Sequence, residues 1–281
     1  MPPVVAIIAQ GAMGAGMAHR LTDHGVTVLT SLAGRSAASR ARAAAAGIKD
    51  SGLPAIAAAD IILSIVPPAE AMAMAKSLAP HLAAAAQPVY ADCNALSPET
   101  AQRIAAVLPE GRAHFVDGGI IGAPPRPGGA TPVLYVAGPE AARLLVLAEH
   151  GIDIRVTPGP VGAASALKMS YAGITKGLTA LAAAMMLAAT HAGAAPGLLQ
   201  ELERSQPELL RWFGRMVPTM PDKAHRWVGE MQEIANFVGP DAGARDTYLG
   251  AARFYAQVAA GPEAAAAALG AFLEGQKSRS A

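Results

Sequence analysis

Apolar positions in the first part of the chain come in short unbroken runs, with helical stretches between them. Val4–Ala9 (VVAIIA) is the first, and no polar residue alternates through it, as expected of a strand covered on both faces in a parallel sheet. Val26–Thr30, Asp60–Val66, Pro88–Ala91, His114–Gly118, Pro132–Ala137 and Gly151–Thr157 read as further strands. Helical patterns are expected over Met13–His24, Ala69–Leu82 and Pro139–His150, and from a cap at Ser97 to Leu108. Alternation on this scale predicts an α/β, doubly wound Rossmann-type sheet over residues 1–160.

The pattern then changes. Gly162 to Thr190 contains no proline and is filled by Ala, Leu and Met, so it predicts one helix of roughly 25–30 residues, about 40 Å long. Ser165, Lys168, Tyr171 and Thr175 recur at spacings of three and four and share one face of it. Beyond it, Pro196–Phe213, Pro221–Val238, Gly243–Ala260 and Pro262–Glu274 are helical in composition and separated by proline or glycine. Residues 161–281 are therefore expected to form an all-α C-terminal domain whose first helix is the long interdomain one.

Composition narrows the class. Apolar residues make up 52% of the chain, enough for packed cores in both halves. A net charge of +1 offers no electrostatic case for nucleic acid or an anionic membrane surface. Cys93 is the only cysteine, which suits a reducing, cytoplasmic setting, and the N-terminus lacks the basic start of a signal peptide. Gly177–Ala195 is nearly uncharged and about long enough to span a bilayer. Alanine dominates it, so a buried helix of a soluble protein is expected there instead.

Three stretches carry candidate chemistry. The first strand runs into Gly11-Ala12-Met13-Gly14 and then a helix, a context in which helix-start amides face outward and small residues let a pyrophosphate approach. After the second strand come Arg35 and Ser36, with no acid before Asp50. An acid there would bind a free ribose 2′-hydroxyl, whereas arginine and hydroxyl groups favour a 2′-phosphate, so NADP is expected over NAD. The competing reading has Ser36 as a helix cap and Arg35 as a solvated side chain. Val66-Pro67 and Asn94 close the third and fourth strands, at the sheet edge where such folds bind ligands. No Cys/His cluster has metal-ligand spacing.

These stations, in order, resemble the β-hydroxyacid dehydrogenase superfamily, which includes 3-hydroxyisobutyrate and 6-phosphogluconate dehydrogenases. The opening glycine motif appears as Ala9-Gln10-Gly11-Ala12-Met13-Gly14, with alanine for its first glycine. Val66-Pro67 and Asp92-Cys93-Asn94-Ala95 follow, then Asp117 to Ala123, then Gly162 and Lys168 to Ala172. The resemblance implies a nucleotide domain, an interdomain helix and a helical C-terminal domain, in an NAD(P)-dependent enzyme that is often dimeric. It places Lys168 on the catalytic lysine, and Ile121, Gly122, Ala123 and Tyr171 on the substrate side; Asn94 is expected to complete the pocket around the nicotinamide. A desolvated lysine can act as acid or base near neutrality. Two departures stand out: Ile121 replaces the family's substrate-binding serine, and Tyr171 and Ala172 replace its two asparagines, so a more apolar substrate pocket is expected.

The expectation is thus an NADP-dependent oxidoreductase acting on a small hydroxyl/carbonyl substrate, in a homodimer joined through its helical half. Imine reduction and a non-catalytic NADP sensor are the alternatives; Lys168 counts against both.

Overall fold

The computed structural model describes residues 1–8, 11–82, 87–126, 129 and 131–277 of the chain. It divides into two compact units, Met1–Met169 and Ser170–Ala281.

The first unit is built on an eight-stranded sheet. Its strands are β1 (Val4–Ile8), β2 (Thr27–Thr30), β3 (Lys49–Asp50), β4 (Ile61–Ser64), β5 (Val89–Asp92), β6 (His114–Ile121), β7 (Val133–Ala137) and β8 (Asp153–Val156). They lie in the order β3-β2-β1-β4-β5-β6-β7-β8, and every neighbouring pair is parallel except β6–β7. The continuous apolar runs are explained by cover on both faces. Val5 and Ile7 pack with Leu21, Leu63 and Val116 on one side, while Ala6 and Ile8 pack with Ile62, Leu78 and Ile104 on the other. The crossovers are α1 (Ala12–Asp23), α2 (Ala37–Ala45), α3 (Leu53–Ala57), α4 (Pro68–Leu78) and α5 (Pro98–Ala105). This is the doubly wound Rossmann-type architecture that the alternation predicts.

Three details differ from the sequence reading. β3 and α3 are too short to leave a period in the sequence, and neither was expected. The helix expected at Pro139–His150 is a 3-10 helix over Ala141–His150. Its buried residues are Ala141, Leu144 and Leu147, and apolar positions three apart face one way only when the turn holds three residues. α4 stops at Leu78 and gives way to a 3-10 turn, Ala79–His81, because Pro80 has no amide to continue it.

α6 (Ala163–His191) is the long helix. The second unit continues through α7 (Ala195–Ser205), α8 (Pro207–Met216), α9 (Ala224–Phe237), α10 (Ala242–Ala260) and α11 (Pro262–Lys277), with no strand among the described residues. The single helix expected at Pro196–Phe213 is broken, since Pro207 cannot donate and Gln206 leaves helical geometry at φ −138°, ψ 50°. Trp227 and Tyr255 meet edge to face at 5.2 Å in the core of this unit. Lys176 pairs with Glu230 over the Trp227 ring, and the Tyr255 hydroxyl donates to the Lys176 carbonyl at 2.5 Å.

The stretch expected to be a buried helix, Gly177–Ala195, is covered only in part. By length and composition α6 could cross a membrane, and only 33% of its most apolar window is covered. Ala180, Ala183 and Met186 are buried, whereas Tyr171, Ile174, Leu181 and Met185 are exposed. Alanines make up most of the inward face, and Leu181 and Met185 lie on the outward one.

Candidate active site

The candidate site lies along the carboxyl edge of the sheet in the first unit. α1 opens that edge. Its N-cap is Gly11, no side chain caps it, and its first turn carries no acid. A Cβ at Gly11 would meet nothing within 4 Å, so the approach to the Ala12 and Met13 amides is open. Gly14 is buried further along the same helix. An uncapped, acid-free helix start with open space in front fits the pyrophosphate of a dinucleotide. Ala9 and Gln10 lie outside the described residues.

Beyond β2, Ser36 caps α2 by accepting from the Ser39 amide, the structural use weighed for it from the sequence. Arg35 is not simply solvated. Its Nη1 lies 3.6 Å from Glu70 Oε2, in the first turn of α4. Asp50, the first acid after β2, has its carboxylate on the Leu32 amide at 2.9 Å.

The exits of β4 and β5 are stapled together by one side chain. Asn94 is 3% exposed. Its Oδ1 accepts from the Val66 amide at 2.6 Å, and its Nδ2 donates to Ser64 Oγ at 3.2 Å. Pro67 then caps α4. Val66, Pro67 and Asn94 are therefore brought together, and the amide of Asn94 holds the two loops in register.

Below Asn94 lies a row of polar side chains set by strand register: Ser64 pairs with Asp92, and Asp92 with Asp117. Asp92 Oδ1 accepts from the Asn94 amide at 3.0 Å, while its Oδ2 is buried with no hydrogen-bond partner among the described residues. Burial pushes the Asp92 carboxyl up to about 7; the Asn94 bonds and the charge of Lys168 work against that rise, and Asp117 adds to it. Burial also raises the Cys93 thiol and the Asp117 carboxyl.

Asp117 anchors the start of α6. Its Oδ2 accepts from the amides of Gly162 (2.9 Å) and Ser165 (3.0 Å), and its Oδ1 accepts from the Ser165 hydroxyl at 2.5 Å. One turn on, Lys168 lies over Gly119, the next residue of β6 on the same face as Asp117. A Cβ at Gly119 would come within 3.1 Å of Lys168 Cβ and 3.0 Å of the Ala164 carbonyl. The bare glycine is what admits the lysine stem to the strand.

Ile121 ends β6, and exposed Gly122 and Ala123 open the loop beyond it. Gly122 has φ 131°, and a Cβ there would meet Pro132 at 2.9 Å. The same loop brings Pro125 against Gly16 of α1, where a Cβ would clash at 2.9 Å. Tyr171 belongs to the second unit and is 53% exposed; the Thr175 hydroxyl donates to its carbonyl at 2.8 Å. Also in the second unit, Trp227 is core and Glu230 is paired with Lys176. Among the described residues no group of three or more His, Cys, Asp or Glu could hold a metal ion.

The Arg35–Glu70 pair was not foreseen from the sequence. Asp117 and Gly119 fell within the Asp117–Ala123 motif, but their contacts with the start of α6 did not follow from it, although a glycine inside a strand often marks close approach by another element.

Residues 4–146 match the family model for the NAD binding domain of 6-phosphogluconate dehydrogenase. The chain belongs to that family. The model match and the likeness to a structure similar to 3-hydroxyacid dehydrogenases place it in the β-hydroxyacid dehydrogenase superfamily. Residues 189–258 match a domain of unknown function, DUF1932. A curated relative from Methanothermus fervidus, an uncharacterized 28.5 kDa protein in the 7S RNA 5′ region, is 32% identical over 147 residues, which are 52% of this chain and 55% of that one. The chain thus matches about half the length of this relative. Among solved structures, a conserved protein of unknown function described as structurally similar to 3-hydroxyacid dehydrogenases is 26% identical. It matches with a TM-score of 0.71 over 94% of this chain and 98% of its own. The 3-hydroxyisobutyrate dehydrogenase of Mycobacterium tuberculosis, solved with L-serine, is 20% identical with a TM-score of 0.69, over 93% and 95% of the two chains, and shares the fold.

Proposed function

We propose that the protein is an NADP-dependent oxidoreductase that moves a hydride between the nicotinamide and a small hydroxyl/carbonyl substrate, with Lys168 as the general acid/base. The observation that carries this reading is the seating of Lys168 on Gly119, at the sheet edge that also holds the open start of α1. The cofactor supplies the hydride chemistry. Gly11 to Gly14 hold its pyrophosphate, Val66, Pro67 and Asn94 line the nicotinamide side, and Lys168 exchanges a proton with the substrate oxygen. Ile121, Gly122 and Ala123 form the substrate side, where an isoleucine in place of a serine favours a less polar substrate. Tyr171 is a second donor to that oxygen, since a phenol is neutral and donates at pH 7. The single cysteine favours a cytoplasmic setting.

The preference for NADP rests on Arg35, with Ser36 beside it, and on Asp50 being engaged by the Leu32 amide. Arg35→Ala is expected to weaken NADP binding by about tenfold or more and to change NAD binding by less than about threefold, because only the 2′-phosphate uses the guanidinium. Titration of both nucleotides by calorimetry checks this. A wild-type protein that binds NAD more tightly than NADP contradicts it.

A homodimer joined through the helical half belongs to the same reading. Ile174, Leu178, Leu181 and Met185 recur along α6 at spacings of three and four, and all but Leu178 are strongly exposed. Such a stripe matches a helix–helix seam between two copies. Light scattering at micromolar concentration is expected to give the dimer mass; a clean monomer overturns this part.

A further inference from the structure

The Arg35–Glu70 pair joins a loop and a helix start that the topology keeps apart. Arg35 follows β2 and Glu70 follows β4, and these are the two strands that flank β1. β1 leads to Gly11 and the open start of α1, so the pair bridges across the crevice on its adenosine side. The Arg35 side chain is 26% exposed and that of Glu70 is 52% exposed, so solvent and ligand can reach both. Behind it, Arg40 Nε donates to the Arg35 backbone carbonyl at 3.3 Å. Its guanidinium therefore has two competing anions: the Glu70 carboxylate in the free protein, and a 2′-phosphate when the cofactor carries one.

We propose that Glu70 is a specificity-determining residue, a counter-ion that the 2′-phosphate must displace from Arg35, and that it tempers the preference for NADP over NAD. The inference rests on the NADP reading given above. The displaced carboxylate stays on the first turn of α4 and faces the incoming phosphate with like charge, so it opposes NADP in both states of the latch. NAD brings no anion to Arg35 and leaves the exchange unmade. Because the pair is exposed and 3.6 Å apart, its effect is modest.

The test is nucleotide titration of Glu70→Gln, alone and in the Arg35→Ala background. Glu70→Gln is expected to tighten NADP binding by about three- to fivefold and to leave NAD within about twofold, which also reports that the variant is folded. In the Arg35→Ala background the gain in NADP affinity should fall below about twofold, because the contest for the guanidinium is gone. The proposal is overturned if Glu70→Gln leaves NADP affinity unchanged or lowers it. It is equally overturned if NAD tightens by the same factor, or if the full gain survives without Arg35. A wild-type protein that prefers NAD removes the NADP reading and this inference together. One that prefers NADP but is indifferent to Glu70→Gln removes this inference alone.

Discussion

Lys168→Ala is expected to lower the rate of turnover by about 100-fold or more while leaving NADP affinity within about twofold. The expectation follows from where the side chain is held. Its stem lies on Gly119, and its charge acts on Asp92 and Cys93, at the exit of β5 just before Asn94. A general acid/base touches the substrate oxygen only as charge shifts there, so its loss falls on the rate rather than on cofactor binding. Lys168→Met separates chemistry from packing, because it keeps a straight apolar stem over Gly119 and removes only the amine. Both variants should be equally slow. A Met variant near the wild-type rate would mean that the lysine is needed for its shape alone.

Asp117→Ala is expected to destabilise the fold by on the order of 3 kcal/mol in urea titration. Three donors converge on this carboxylate: two amides from the first turn of α6 and its approach, and the Ser165 hydroxyl. Truncation leaves all three without an acceptor in a place water does not reach, and it removes a negative charge from a helix start. The opposing effect is that burial already raises the carboxyl, so ionised Asp117 is costly in the native state. Asp117→Asn removes that cost and keeps one of the two acceptor oxygens, so it should fall between wild type and alanine. A loss below about 1 kcal/mol for Asp117→Ala would show that the first turn of α6 is held by packing instead. The two predictions are linked, since Asp117 fixes the turn that aims Lys168.

Much of the fold could be read from residue pattern because two-faced burial leaves continuous apolar runs, as in VVAIIA, and because Pro and Gly punctuate the helices. The pattern failed where elements were too short to have one, at Lys49–Asp50 and Leu53–Ala57. It also failed where Pro207, mid-run, ends one helix and begins another. The glycine turn at Gly11 was legible since its chemistry is local to a few residues. The Ser64–Asp92–Asp117 row was not, because it exists only through the register of β4, β5 and β6. Periodicity placed Ser165, Lys168, Tyr171 and Thr175 on one face of α6, but it could not say that Ser165 would be spent on Asp117. Likewise Arg35 was visible as a cation expected at the ribose, whereas its partner Glu70 comes from the first turn of α4, after a strand two places away in the sheet.

The most direct test of the central claim is a panel of hydroxyacids, alcohols, aldehydes and imines, followed by NADPH absorbance with wild-type protein and with Lys168→Ala. The account predicts turnover of a hydroxyl/carbonyl member by the wild type and loss of about 100-fold or more in the variant. Turnover of imines alone, undiminished by Lys168→Ala, would contradict it, and so would NADPH binding with no turnover of any member.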